Sequence, residues 1–141
     1  MNDIAKDVDE AGGLIALLDL KPHPEGGHYR QTYRDQTGGG ARGHSTAIHF
    51  LLQAGEVSRW HRIDATEVWH FYRGAPLELK IGRDTVILGP DVEQGQTPQA
   101  VVPPGAWQSA RSQGAYSWVG CTVAPGFDFA TFEMAPDNFE P

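Results

Sequence analysis

Cysteine is nearly absent from this chain: Cys121 is the only one in 141 residues. An intrachain disulfide is therefore excluded, and so is a zinc site built on cysteines. Long apolar runs are missing as well, with nothing near the ~18 consecutive apolar residues of a membrane span. No run of basic residues occurs either. Lys plus Arg number 11 against 18 Asp plus Glu, a formal charge of −7. Such a surface repels phosphate backbones and anionic headgroups, which argues against nucleic acid and membrane partners. Met1 to Glu10 is acidic and lacks the basic-then-apolar layout of a secretion signal. The expected setting is soluble and cytoplasmic.

What is present describes one folded unit, a single domain spanning residues 1–141. Hydrophobic residues are 40% and charged ones 21% of the chain, which excludes disorder as the main state. Seventeen Gly and ten Pro are too many corners for a helical bundle and suit many short strands.

The chain opens with an amphipathic pattern over Asp3 to Leu20, where Ile4, Val8, Ala11, Ile15 and Leu18 recur at spacings of three or four. Gly12 and Gly13 interrupt it, so the dependable helix is Ala11 to Asp19. The turn from Lys21 to Gly27 ends it, since Pro22 cannot continue a helix. Strand-like runs follow at His28–Arg34, Ser45–Leu52, Ser58–Ile63, Val68–Tyr72, Leu77–Ile81, Thr85–Leu88, Ala100–Val102, Trp107–Ser112, Ser117–Ala124 and Phe129–Glu133. A Gly38-Gly39-Gly40 loop and turns rich in Gly and Pro separate them. This spacing predicts an all-β sandwich or barrel. Pro136 to Pro141 reads as a frayed tail.

The densest chemistry lies between Gly55 and Gly74. Gly55, His61, Glu67 and Gly74 fall in the register of the first signature of the cupin superfamily, with Ile63 where that signature has a second histidine. Pro103-Pro104-Gly105 matches the opening of the second signature, with Gln108 in place of its histidine. The run from Leu20 to Gly27, the Tyr29–Arg34 strand, Asp64 to Gly74 around Glu67 to Tyr72, Val102 to Gln108 and Val119 to Phe127 resemble the small cupin-5 (domain of unknown function) family, over Leu14 to Ala135. That resemblance implies a double-stranded β-helix (the cupin jelly-roll barrel), usually a homodimer, with a small-molecule pocket inside it. It also implies metal ligands at the signature positions, two of which lack imidazoles here. His49 stands where the family pattern has an aromatic such as tyrosine.

Strand alternation puts Glu67, Trp69 and Phe71 on one face with His61 and Ile63, and Val68, His70 and Tyr72 on the other, toward a second sheet or a partner subunit. Glu67 against apolar neighbours should have a raised pKa, which makes His61 and Glu67 the candidate catalytic acid–base pair. Gln108, Trp69, Phe71, Tyr29, Arg30 and His49 are the candidate ligand-binding residues. No metal or other cofactor is favoured, because the set His49, His61, Glu67 and Gln108 is poor in strong ligands for a transition metal. Up to four arginines, Arg30, Arg34, Arg59 and Arg62, near one barrel mouth suit a polar or anionic ligand. The Gly26–Arg30 turn is similar in outline to the phosphate cradle of cupin-type deoxysugar-nucleotide epimerases, which use a His base and a Tyr acid. By that analogy the ligand is a nucleotide or nucleotide sugar, with Tyr33 or Tyr72 as acid. The four tryptophans read as core, Cys121 as an inert buried thiol, and His23 and His28 as residues ordering a loop. The alternatives are a metal-dependent isomerase or oxygenase and a non-catalytic storage-like dimer.

Overall fold

The computed structural model describes residues 3–38 and 40–141; Gly39 of the glycine tract and the side chains of Asp3, Ile4, Ala5, Val8 and Ala41 lie outside the described residues. Helix α1 spans Asp3–Leu17 and runs through Gly12 and Gly13 without a break. Both glycines sit on its exposed side, and the ~1 kcal/mol each costs relative to Ala is offset by Ala11 and Leu14, which pack on Leu20, Leu51 and Tyr116. The helix stops where Asp19 turns left-handed (φ 53°). The Leu20 N–H closes back on the Ile15 carbonyl at 3.0 Å and the Asp19 N–H on Ala16 at 3.3 Å, a two-bond C-terminal cap.

The strands are β1 (Lys21–Pro22), β2 (His28–Arg34), β3 (Thr46–Gln53), β4 (Val57–Arg62), β5 (Thr66–Gly74), β6 (Leu77–Ile81), β7 (Asp84–Leu88), β8 (Gln99–Val102), β9 (Gln108–Ser112), β10 (Tyr116–Ala124) and β11 (Glu133–Met134). They form a six-stranded sheet ordered β1-β2-β3-β10-β5-β8 and a five-stranded sheet ordered β11-β4-β9-β6-β7. All the strand pairings are antiparallel. The two sheets enclose one main core of Phe50, Leu52, Trp69, Leu77, Leu79, Leu88, Val102 and Val119, giving a double-stranded β-helix. Where a strand was expected at Phe129–Glu133, the chain makes a 3₁₀ turn (Phe129–Thr131) and only then the two-residue β11. Asp128 caps that turn by accepting the Ala130 N–H at 2.9 Å, which commits the segment to a turn before it can extend.

Two other expectations need correction. Only Trp69 is a core tryptophan; Trp60, Trp107 and Trp118 are half-buried on the outside of the barrel. The last residues do not fray into solvent, because Phe139 packs on Trp107 and Trp60, with ring centroids 4.7 and 6.2 Å away.

Candidate functional site

The pleat of the six-stranded sheet sorts its side chains. Inward-facing Tyr29 and Gln31 of β2, Thr46 and Ile48 of β3, Glu67 of β5, and Cys121 and Val123 of β10 line a cavity of about 240 Å³ at one end of the barrel. His61 closes it from β4. The remaining walls are His23 and Glu25 from the turn after β1, Arg34 at the end of β2, and Phe127, Phe129 and Phe132 from the segment before β11.

The turn carries Glu25 inward, where its side chain is buried. Gly26 and Gly27 have φ of 115° and 76°, and a Cβ on Gly26 would run into the Val57 carbonyl. The Arg59 N–H then holds the Glu25 carbonyl at 2.8 Å, and an Arg59 guanidinium N–H holds the Pro24 carbonyl at 2.9 Å. On the far wall, Arg42 donates to the Gly126 carbonyl (2.6 Å) and to both oxygens of Asp64 (2.7 and 3.0 Å). This contact holds the Asp64 carboxyl down at about 2. Thr131 donates to the same carboxylate at 3.0 Å, pinning the phenylalanine-bearing segment across the cavity.

Four titratable groups converge. His61 Nδ1 lies 2.7 Å from the Arg59 carbonyl, which makes Nδ1 the protonated nitrogen and leaves the Nε2 lone pair facing the Glu25 carboxyl, 3.5 Å away. His23 accepts the Glu25 backbone N–H at Nδ1 (3.1 Å), so its Nε2–H is directed at Glu25 Oε1, 3.3 Å away. The Ser58 hydroxyl donates to Glu25 Oε2. Glu67 Oε1 accepts from the Gln108 amide at 2.8 Å, and Gln108 Oε1 in turn accepts from the Trp69 indole N–H at 2.9 Å. Burial dominates the energetics. It pushes Glu25 up to about 8 and Glu67 up to about 7, drives His23 down to about 4, and lowers His61 against the opposing pull of Glu67. The Cys121 thiol beside Glu67 is raised well above its ordinary range and stays protonated. Near neutrality the site therefore holds two neutral imidazoles and two carboxyls that give up protons with little cost.

Several residues expected at the site are elsewhere. Arg30 and His49 are cross-strand partners on the outer face of the six-stranded sheet, because the inward phase of β2 and β3 belongs to Tyr29, Gln31 and Ile48. There His49 accepts from the Trp118 indole at 3.2 Å. Trp69 and Phe71 pack into the main core rather than the cavity, and Gln108 is fully buried behind Glu67. The apolar wall is instead the Phe127, Phe129 and Phe132 cluster, with His61 stacked on Phe132 at 5.3 Å. Tyr33 and Tyr72 are about half exposed and neither lines the cavity, so neither is placed as its acid.

The metal ligands implied by the cupin signatures do not assemble. His49 points away, Ile63 offers no donor, and both ends of the Gln108 amide are already bonded. Among the described residues no three His, Cys, Asp or Glu side chains are arranged to hold a metal ion. Reading the residues one by one missed His23 and Glu25. Their one signal was the alternation His23-x-Glu25 inside a turn whose flanking Pro and Gly residues fix the backbone.

A family model described as cupin superfamily (DUF985) matches residues 13–135. The crystal structure of a Shewanella oneidensis protein is 39% identical with a TM-score of 0.86, over 89% of this chain and 84% of that one. A hypothetical protein from Leishmania major is 33% identical with a TM-score of 0.82, over 89% and 86% respectively. KdgF from Halomonas sp., at 14% identity and a TM-score of 0.62 over 79% of this chain and 90% of that one, shares the fold alone. No curated protein matches the chain.

Proposed function

The chain belongs to the Cupin_5 family of the cupin superfamily, and from that premise we propose that its barrel cavity binds a small polar or anionic molecule and moves protons on it. The observation that carries this reading is the pair of buried carboxyls, Glu25 and Glu67, set around the His61 imidazole in one cavity. Both carboxyls are hydrogen-bonded, Glu25 by Ser58 and Glu67 by Gln108, and the imidazoles beside them are kept neutral by burial, so neither acid is tied up in an ion pair with a cation.

The chemistry is isomerase- or epimerase-like. His61 Nε2 takes a proton from a carbon beside a carbonyl of the ligand, and the electron pair moves onto the carbonyl oxygen. A protonated carboxyl of Glu67 then returns a proton to that carbon or its neighbour, and the enolate electrons fall back. Ser58 and His23 hold the Glu25 carboxyl against His61 Nε2. Once ionised, Glu25 takes the proton from His61 and passes it to solvent, while the Glu67 carboxylate regains its proton from solvent, so both groups return to their starting states. A cavity of about 240 Å³ is below the roughly 300–1,000 Å³ of sites for drug-sized ligands. Within the class expected from the sequence, the fit favours a small acid or a sugar phosphate over a whole nucleotide sugar.

The test is incubation of the protein in D₂O with a panel of small oxo acids and sugar phosphates, read by proton NMR. Wild type should exchange one carbon-bound proton of at least one compound, and His61→Ala and Glu67→Gln should each abolish the exchange. Exchange that persists in both variants would overturn the reading.

A further inference from the structure

The cavity has a second pole that the proton-transfer groups do not use. Arg34 lines it, and no carboxylate lies within ion-pair distance of its guanidinium among the described residues. The side chain is nonetheless held in place. Its Nε–H donates to Gln31 Oε1 at 3.3 Å, Nη1 to the Arg42 carbonyl at 2.7 Å and Nη2 to the Phe127 carbonyl at 2.8 Å. A guanidinium has five N–H groups, so one on each terminal nitrogen is left over. The three acceptors are neutral and leave the positive charge uncompensated. Gln31, also on the cavity wall, turns its oxygen to Arg34, and its amide N–H₂ meets no acceptor among the described residues. Beside this cation stands the apolar wall of Phe127, Phe129 and Phe132, whose ring centroids lie 4.7 to 5.9 Å apart.

A half-buried, immobilised arginine without an anion is costly unless something supplies one, and an oxyanion can take the leftover donors on the two terminal nitrogens. We infer that Arg34, with Gln31, is the anchor for the ligand's oxyanion, a carboxylate or phosphate attached to a compact apolar body that lies on the three phenylalanines. Arg30, exposed on the opposite face, takes no part. The inference rests on the cavity being the ligand site proposed above, and it adds which end of the ligand is charged and where that end sits.

The experiment is isothermal calorimetry and thermal shift with three probes: benzoate, phenyl phosphate and the uncharged benzamide. Wild type should bind at least one of the two anions about tenfold or more tightly than benzamide, and the tighter anion tells carboxylate from phosphate. Arg34→Lys should erase most of that preference. Arg34 also supports two loop carbonyls, so Gln31→Glu gives a second arm. It supplies Arg34 with an anion in place, and should keep or raise the melting temperature while removing anion binding. Benzamide binding as tightly as both anions, or Gln31→Glu binding them as wild type does, overturns the anchor while leaving the ligand pocket in place. Failure of all three probes to bind overturns the anchor as argued, and the proton exchange in D₂O then decides separately whether the pocket reading stands.

Discussion

The cavity between the sheets and the outer face of the six-stranded sheet carry similar inventories and different chemistry. Toward the cavity lies His61, with His23 beside it; toward the outside lie His49 and His70. Burial lowers the pKa of all four imidazoles. Inside, the partners are the carboxyls Glu25 and Glu67. Outside, for His49 and His70, they are neutral or cationic: the Trp118 indole and Arg30 for His49, and the Thr122 hydroxyl (3.0 Å) and the Gln99 amide for His70. The outer His28 lies 3.8 Å from the Glu56 carboxylate, away from the cavity. An imidazole on a strand is thus not a site by itself. Its partner decides whether a proton can be handed on.

The sharpest way to break this contrast is to delete one histidine from each face. His61→Ala should abolish proton exchange, whereas His49→Ala should leave it within about twofold and change stability by less than ~1 kcal/mol, as surface-side substitutions do. Equal losses in the two variants would erase the distinction. Glu25→Ala comes next. It removes the carboxyl that accepts from His23 and Ser58, and should cost about 1–3 kcal/mol in urea unfolding because buried donors are left unpaired. Glu25→Gln should recover most of that stability but none of the proton exchange.

The inner face should also print itself on the pH dependence of folding. Glu25 and Glu67 have folded pKa values of about 8 and 7, above the ordinary 4.5, so the stability tied to their neutral forms is full below pH 4.5 and is lost as pH rises through 7 and 8. His23 has the opposite sign: held at about 4, below the ordinary 6.5, its contribution is full above pH 6.5 and is lost as pH falls toward 4. The two effects oppose one another between pH 4.5 and 6.5. Above 6.5 only the carboxyls act, and unfolding free energy should decline from pH 6.5 to 8. Double substitution of Glu25 and Glu67 by Gln should flatten that decline. A profile that is already flat in wild type would contradict it.

A gentler test builds an inner-type pair on the outer face. Thr122→Asp places a carboxyl near His70 Nε2, and the His70 pKa, followed by NMR, should rise toward or above its ordinary value. The smallest effect on the cavity is expected from Tyr72→Arg. Tyr72 is 49% exposed beside His49 and Trp118, on the face where the sequence reading expects copies to pair. Light scattering should give twice the 15.4 kDa chain mass for wild type and less for the variant, with ligand affinity unchanged.

How much of this was legible beforehand differs along the chain. The bounds of β2 and β6 coincide with the strand-like runs His28–Arg34 and Leu77–Ile81, because turn-formers flank both. The division of β5 into Glu67, Trp69 and Phe71 against Val68, His70 and Tyr72 is also what alternation gives, since a pleat has a strict period of two. The phase of β2 was not readable. Polar and aromatic residues occupy both of its faces, so nothing local says whether Tyr29 and Gln31 or Arg30 turns inward.

The sequence alone determines that this is a short-stranded β barrel of net charge −7, with one carboxylate, Glu67, embedded among apolar neighbours. These properties follow from composition and from interactions a few residues long. Tertiary structure decided the rest of the site. His23 and Glu25 reach His61 because the Arg59 N–H fastens the Glu25 carbonyl 34 positions away. Arg34 faces the cavity because carbonyls of Arg42 and Phe127 hold it there, one of them 93 positions away. Contacts of that range depend on which strands become neighbours, and pairing between distant strands leaves no periodic mark on the chain between them.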